Sequence, residues 1–298
     1  MIAEAWQRPI TTLLGSTLLL LSTTLTAAAR SAEPAPPVAL PDRCVPIVSP
    51  ASDQATTRER TFAPTVVVAA ASDLRYAMDE LVAAYEALHP EEAVEVTYGS
   101  SGNFFAQISQ GAPFDVYFSA DIEYPRALEQ AGLAAPDSTR LYAEGRIVTW
   151  VRDDASIDVG GLGLTALTDP AVERVAIANP AHAPYGRAAQ AAMEASDLWE
   201  EMQPSLVFGE NISQAAQFVA SGGADIGIIA LSLAIAPPLC HEGRYAVVPA
   251  DLHPPILQGA LVLAGAAHPA AAIAFLDYVL GPDGREVLDR YGFLLPEA

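Results

Sequence analysis

The chain is short of positive charge. Its 298 residues include fifteen Lys and Arg against thirty-six Asp and Glu, a formal net charge of −21. So acidic a chain repels nucleic acid and anionic membrane, and neither is expected as a direct partner. The same charge opposes an anionic ligand at long range, although salt screens it beyond a Debye length of roughly 8 Å. Any anion site must therefore work through short-range dipoles. Cysteine is almost lacking, with only Cys44 and Cys240, and no C-x-x-C or H-x-x-x-H spacing occurs. The usual metal-site signatures are thus missing. So is a G-x-S-x-G elbow, and the five scattered histidines suggest no triad, which leaves nucleophilic catalysis weakly supported.

What is present begins with an apolar run, TTLLGSTLLLLSTTLTAAA at 11–29, placed after Arg8 and ending in Ala27, Ala28 and Ala29. Six Thr and two Ser dilute it below the roughly 20 apolar residues that a spanning helix wants. Residues 1–29 therefore read as a signal peptide with an A-x-A cleavage site, and export as a soluble protein is expected. No cysteine follows the run closely enough to anchor a lipid. In an oxidising compartment Cys44 and Cys240 could pair, or remain two free thiols; the even count leaves both open. Residues 30–63 hold Pro34, Pro36, Pro37, Pro41, Pro46 and Pro50 and the polar run DQATTRERT. They read as a linker.

From Thr65 onward, short β-branched runs alternate with amphipathic segments, the signal of βαβ units around a mostly parallel sheet. The fold class is α/β. Leu74, Met78, Leu81, Val82, Tyr85 and Leu88 fall on one helical face, which His89-Pro90 terminates. A second α/β unit starts at VAIANP (175–180) and runs through SLVFG and ADIGIIAL. The glycine-rich DVGGLGL (158–164) lacks the Lys-Ser/Thr of a phosphate loop and is expected to be a surface loop.

Two strand-to-helix junctions, VVVAAASDL and VTYGSSGNF, carry Ser72 and Ser101 where a helix should begin. The N–H groups of a first helical turn have no partner within the helix, and the peptide dipoles add positive charge there. An oxyanion is stabilised at such a place without a cationic side chain. A lone serine there is ordinarily just an N-cap, but a second junction of the same kind weakens that reading. Two further turns, ANPAHAPYG and GENIS, lie in the second unit. Tyr185 offers a phenol at a helix start, although a buried structural role is commoner, and Ile212 can offer only its N–H. His182 lacks a spaced partner and is expected to be a surface loop residue. A reading of another class is a secreted serine hydrolase using Ser72 or Ser101.

The runs VVVAAASDL, YGSSGNFFAQI, GAPFDVYFSAD, ANPAHAPYGRAA, GENISQAAQFVASGGADIGIIALS and FLDYVLGPDGREVLDRYGF, taken in order, resemble the periplasmic molybdate-binding proteins of ABC importers over about residues 65–293. The resemblance implies a two-lobed periplasmic-binding-protein fold of type II, its ligand cleft lying between lobes joined by crossing strands. Residues 64–147 would form the first part of lobe 1, 148–258 lobe 2, and 259–298 the return to lobe 1. By position, Ser72 and Ser101 would donate from the first lobe and Tyr185 and Ile212 from the second, with Asp73 contributing its N–H and turning its carboxylate away. Some members place an anion-binding tyrosine at the end of the strand matching GIIA, where this chain has Ala230, so Tyr185 would take that role. The resemblance further implies a periplasmic, monomeric carrier of molybdate or tungstate, working with membrane permease subunits and needing no cofactor and no catalysis. A sulfate carrier of the same fold is the nearest alternative.

Overall fold

The computed structural model describes Cys44, Val45 and residues 64–297. The expected signal peptide, and all of the expected linker except Cys44 and Val45, lie outside the described residues. Two five-stranded sheets are built from β1 Thr65–Ala71, β2 Ala93–Gly99, β3 Val116–Ser119, β4 Arg140–Gly145, β5 Ile147–Arg152, β6 Val175–Ala178, β7 Leu206–Gly209, β8 Ile226–Ala230, β9 Gly243–Val247 and β10 Ile256–Val262. Their orders are β2-β1-β3-β10-β4 and β7-β6-β8-β5-β9. In each sheet the first three strands are parallel, and the fourth runs antiparallel to both of its neighbours. The chain crosses from the first sheet to the second through Arg146, and returns between Val247 and Ile256.

The apolar runs form buried strands because helices cover the sheets. Val66, Val68 and Ala69 to Ala71 of β1 are buried, as is all of β8. The helix Arg75–Leu88 turns Ala77, Met78, Leu81 and Tyr85 into the core and ends at His89, as the Pro90 that follows requires. Tyr85 meets Phe275 edge-on at 5.1 Å. That contact ties this helix to the helix Pro269–Leu280, which starts on its proline.

Three features depart from, or decide, the sequence reading. DVGGLGL is not an open loop. Asp158 caps a short helix, Val159–Leu162, by accepting from the Gly161 N–H at 3.0 Å, and a 3-10 turn over Gly163–Thr168 follows. Strands β4 and β9 have no counterpart in the periodicity, because RLYAEG and GRYAV carry charge and glycine as sheet edges do. The cysteines are paired: a Cys44–Cys240 disulfide and a Val45 N–H to Ile235 carbonyl bond of 2.9 Å fasten this segment to the second lobe. Among the described residues no helix is long and apolar enough to cross a membrane.

Candidate functional site

Register brings the junctions together. Ala71, the last residue of β1, pairs with Gly99, the last of β2, so the turns bearing Ser72 and Ser101 leave the sheet side by side. In the second lobe Ala178 pairs with Gly209 in the same way, so the ANPAHAPYG and GENIS turns are neighbours. All four lie at the carboxyl ends of parallel strands, where open α/β sheets place ligands. The two pairs then meet: the Gly102 N–H donates to the His182 carbonyl at 2.9 Å, and Ser213 Oγ to the Ser72 carbonyl at 2.8 Å. A small, partly open cavity lies between them. Ser72, Asp73, Ser101, Tyr185 and Ile212 all line it, and no Lys, Arg or His does.

The donors come from helix starts. Ser101 opens the helix Ser101–Ser109, whose N-cap is Ser100, and Ile212 opens Ile212–Ala220, whose N-cap is Asn211. Tyr185 follows Pro184 at the start of Pro184–Ala195. Ser72 begins a single 3-10 turn that runs into Arg75–Leu88. First-turn N–H groups from both lobes thus border one cavity, each at the positive end of a helix dipole. Ser101 Oγ accepts the Ala120 N–H at 2.9 Å, so its own proton remains available to a further acceptor. Ser72 Oγ accepts instead from Ser213 of the other lobe, at 3.3 Å.

Behind this rim lies a buried polar network. Asp73 Oδ2 accepts from the Tyr185 hydroxyl at 2.9 Å and from Gln258 Nε2 at 2.7 Å, while Tyr142 donates to Gln258 Oε1. Ser232 Oγ donates to the Asp73 carbonyl at 2.8 Å. Asp73 Oδ1 is buried and met by no side chain. Burial pushes the Asp73 carboxyl up to about 6, against the opposing hydrogen bonds from Gln258 and Tyr185 and from the backbone N–H groups of Asp73 and Leu74. Burial, reinforced by the neighbouring Asp73, holds the Tyr185 phenol well above its ordinary value, so it stays protonated. The phenol proposed to face the ligand therefore reaches across the cleft to a first-lobe carboxylate. Gln258, Tyr142, Ser213 and Ser232 had no motif to mark them. Gln258 alone left a trace, as one amide in the apolar run ILQGALVLAG.

The cleft rim corrects the expectation for His182. Its side chain is only 20% exposed, its Nδ1 lies 2.8 Å from Ser100 Oγ, and its Nε2 lies 4.0 Å from Glu210. It bridges lobes rather than facing solvent. Asn103 also reaches Glu210, and Arg187 pairs with Asp121. Neither Ser72 nor Ser101 hydrogen-bonds a histidine; the serine that does, Ser100, caps a helix.

A family model described as bacterial extracellular solute-binding protein matches residues 66–294. The chain belongs to this family. Among curated relatives, the molybdate-binding protein ModA of Rhodobacter capsulatus is 42% identical over 201 residues, covering 67% of this chain and 77% of that one. ModA of Azotobacter vinelandii is 36% identical over 231 residues, 78% and 90% of the two chains. The solved structure of the Azotobacter vinelandii periplasmic molybdate-binding protein superposes with a TM-score of 0.73 at 31% identity, covering 78% of this solute-binding protein and all of that chain.

Proposed function

We propose that this solute-binding protein captures molybdate, and tungstate with it, outside the inner membrane and delivers it to the permease subunits of an ABC importer. The observation that carries the reading is the convergence of Ser72, Asp73, Ser101, Tyr185 and Ile212, drawn from both lobes, on one cavity without a cationic side chain. Hydroxyl and helix-start N–H donors suit a fully ionised tetrahedral oxyanion, and fixed dipoles hold it without a counter-ion. The two relatives named for molybdate support the choice of ligand. Selectivity against the smaller sulfate would follow from donors held at fixed separation, to which sulfate makes longer and weaker bonds.

In this reading residues 1–29 direct export, the mature chain works as a periplasmic monomer, and it takes no cofactor and catalyses nothing. The oxyanion is cargo, held through its oxygens by Ser72, Ser101, Tyr185 and Ile212 with no protein atom on the metal. Titration calorimetry of the protein against molybdate, tungstate and sulfate tests this. Tight binding of the first two and little heat from sulfate are expected. Tight sulfate binding without molybdate heat would make the chain a sulfate carrier instead.

A further inference from the structure

Two carboxylates are buried among the described residues, and they differ in kind. Asp115 is structural: Oδ2 accepts the Val67 N–H at 2.8 Å and Oδ1 the Ala267 N–H at 2.6 Å, so both oxygens are filled by backbone. Asp73 has one oxygen filled twice, by Tyr185 and Gln258, and the other met by no side chain. It also lines the cavity to which the oxyanion is assigned. An ionised carboxylate and a dianion sharing a small cavity repel each other, and the carboxylate has only acceptors to offer. Something must change on binding.

We infer that oxyanion binding is coupled to proton uptake at Asp73, whose Oδ1 takes a proton from solvent and thereafter stands as a hydroxyl donor beside the anion. The inference rests on the oxyanion reading above and deepens it. Atoms balance simply: one proton leaves water, one O–H bond forms on Asp73, and the complex carries one negative charge fewer than the dianion and the ionised protein would together. The groups facing Asp73 leave it as the one to titrate. Tyr185 from the helix Pro184–Ala195 and Tyr142 from β4 are phenols held well above their ordinary value, chiefly by burial. Gln258 from β10 and Ser232, just past β8, are neutral, and Arg146, close enough to Tyr185 to interact with it, directs its guanidinium to the Gly292 carbonyl. Burial has already moved the Asp73 carboxyl up to about 6, so adding a dianion next to it carries it past neutrality.

Asn at this position would imitate the protonated acid. Its carbonyl can accept from Gln258 as Oδ2 does, leaving the single Tyr185 O–H free to turn to the anion, and its amide supplies the donor in place of Oδ1. The test is calorimetry with molybdate at about pH 8 in buffers of different ionisation enthalpy, which counts protons, together with affinity measured across about pH 7 to 8. The wild type should take up protons on binding the anion and lose affinity as the pH rises across that range. Asp73→Asn should take up none and bind equally across that range. Molybdate binding by the wild type without proton uptake overturns the inference and leaves the function standing. So does an Asp73→Asn protein that still takes up a proton. Absence of binding to molybdate, tungstate and sulfate at any pH overturns the oxyanion reading itself, and this inference with it. The wild-type proton count decides even where the variant fails to fold.

Discussion

The two serine junctions of the first lobe leave adjacent strands in register, yet they are built differently. Ser101 is followed by Gly102, and a Cβ there would stand 2.6 Å from the His182 carbonyl, so the missing side chain is what lets the second lobe's backbone accept the Gly102 N–H. Its hydroxyl is oriented by Ala120, within its own lobe. Ser72 is followed by Asp73, a buried carboxylate bound by the second lobe's Tyr185, and its own hydroxyl and carbonyl are held by Ser213, also from the second lobe. One junction has its hydroxyl oriented from within its own lobe. The other is completed by the meeting of the lobes and titrates. Capture and closure can therefore be assigned to different turns.

The largest expected effect comes from removing the charge at the second of these turns. Folding raises the Asp73 carboxyl from 3.8 to about 6 through burial, so the folded state binds its proton more tightly than the unfolded chain does. The sign follows: this stabilising contribution is complete below 3.8 and is lost as the pH rises through 6. Denaturant unfolding of wild type and Asp73→Asn without ligand should show the variant gaining on the wild type by about 2 kcal/mol between pH 4 and pH 8. Other titrations are common to both proteins and cancel in the difference. A gap that does not change with pH would mean that Asp73 is not strained by burial, and the contrast between the junctions would collapse to geometry.

Next in size is Ser101→Ala. The variant loses a hydroxyl donor to a charged ligand, worth about 1.5 to 3 kcal/mol of binding. It also strips the Ala120 N–H of its acceptor. Titration at one fixed pH should give a larger loss than Ser72→Ala, because Ser101 is oriented without help from the other lobe. The reverse order would show that orientation from within one lobe confers no advantage.

Much of this was legible from sequence because helix starts announce themselves. VVVAAASDL and VTYGSSGNF each carry a β-branched run, small residues and a serine, a local pattern that marks where a strand gives way to a helix. The second-lobe partners needed the family resemblance, since Tyr185 and Ile212 carry no local mark of a ligand role. What stayed hidden is what the cleft brings together. His182 and Ser100 are 82 residues apart, and Asp73 and Gln258 are 185 apart, so no periodicity connects them. Even the disulfide, open on cysteine count, was decided by the fold, which brings residues 196 apart to a Cα separation of 5.2 Å.

The smallest effect, and the sharpest on the comparison, is that of Ser213→Ala. Ser213 touches the Ser72 junction twice, through its N–H to Oγ and its hydroxyl to the carbonyl, and it does not line the cavity itself. The variant keeps the N–H and loses the hydroxyl, so it removes one lobe-to-lobe bond while leaving every proposed ligand contact in place. Affinity should fall by about 0.5 to 1.5 kcal/mol, the ordinary net worth of a neutral hydrogen bond. The loss should sit mostly in faster anion release, since the bond forms only when the lobes have met. A loss as large as that of Ser101→Ala would mean that Ser72 is oriented almost wholly through Ser213. No loss at all would mean that the first lobe sets Ser72 unaided, and the two junctions would then be of one kind.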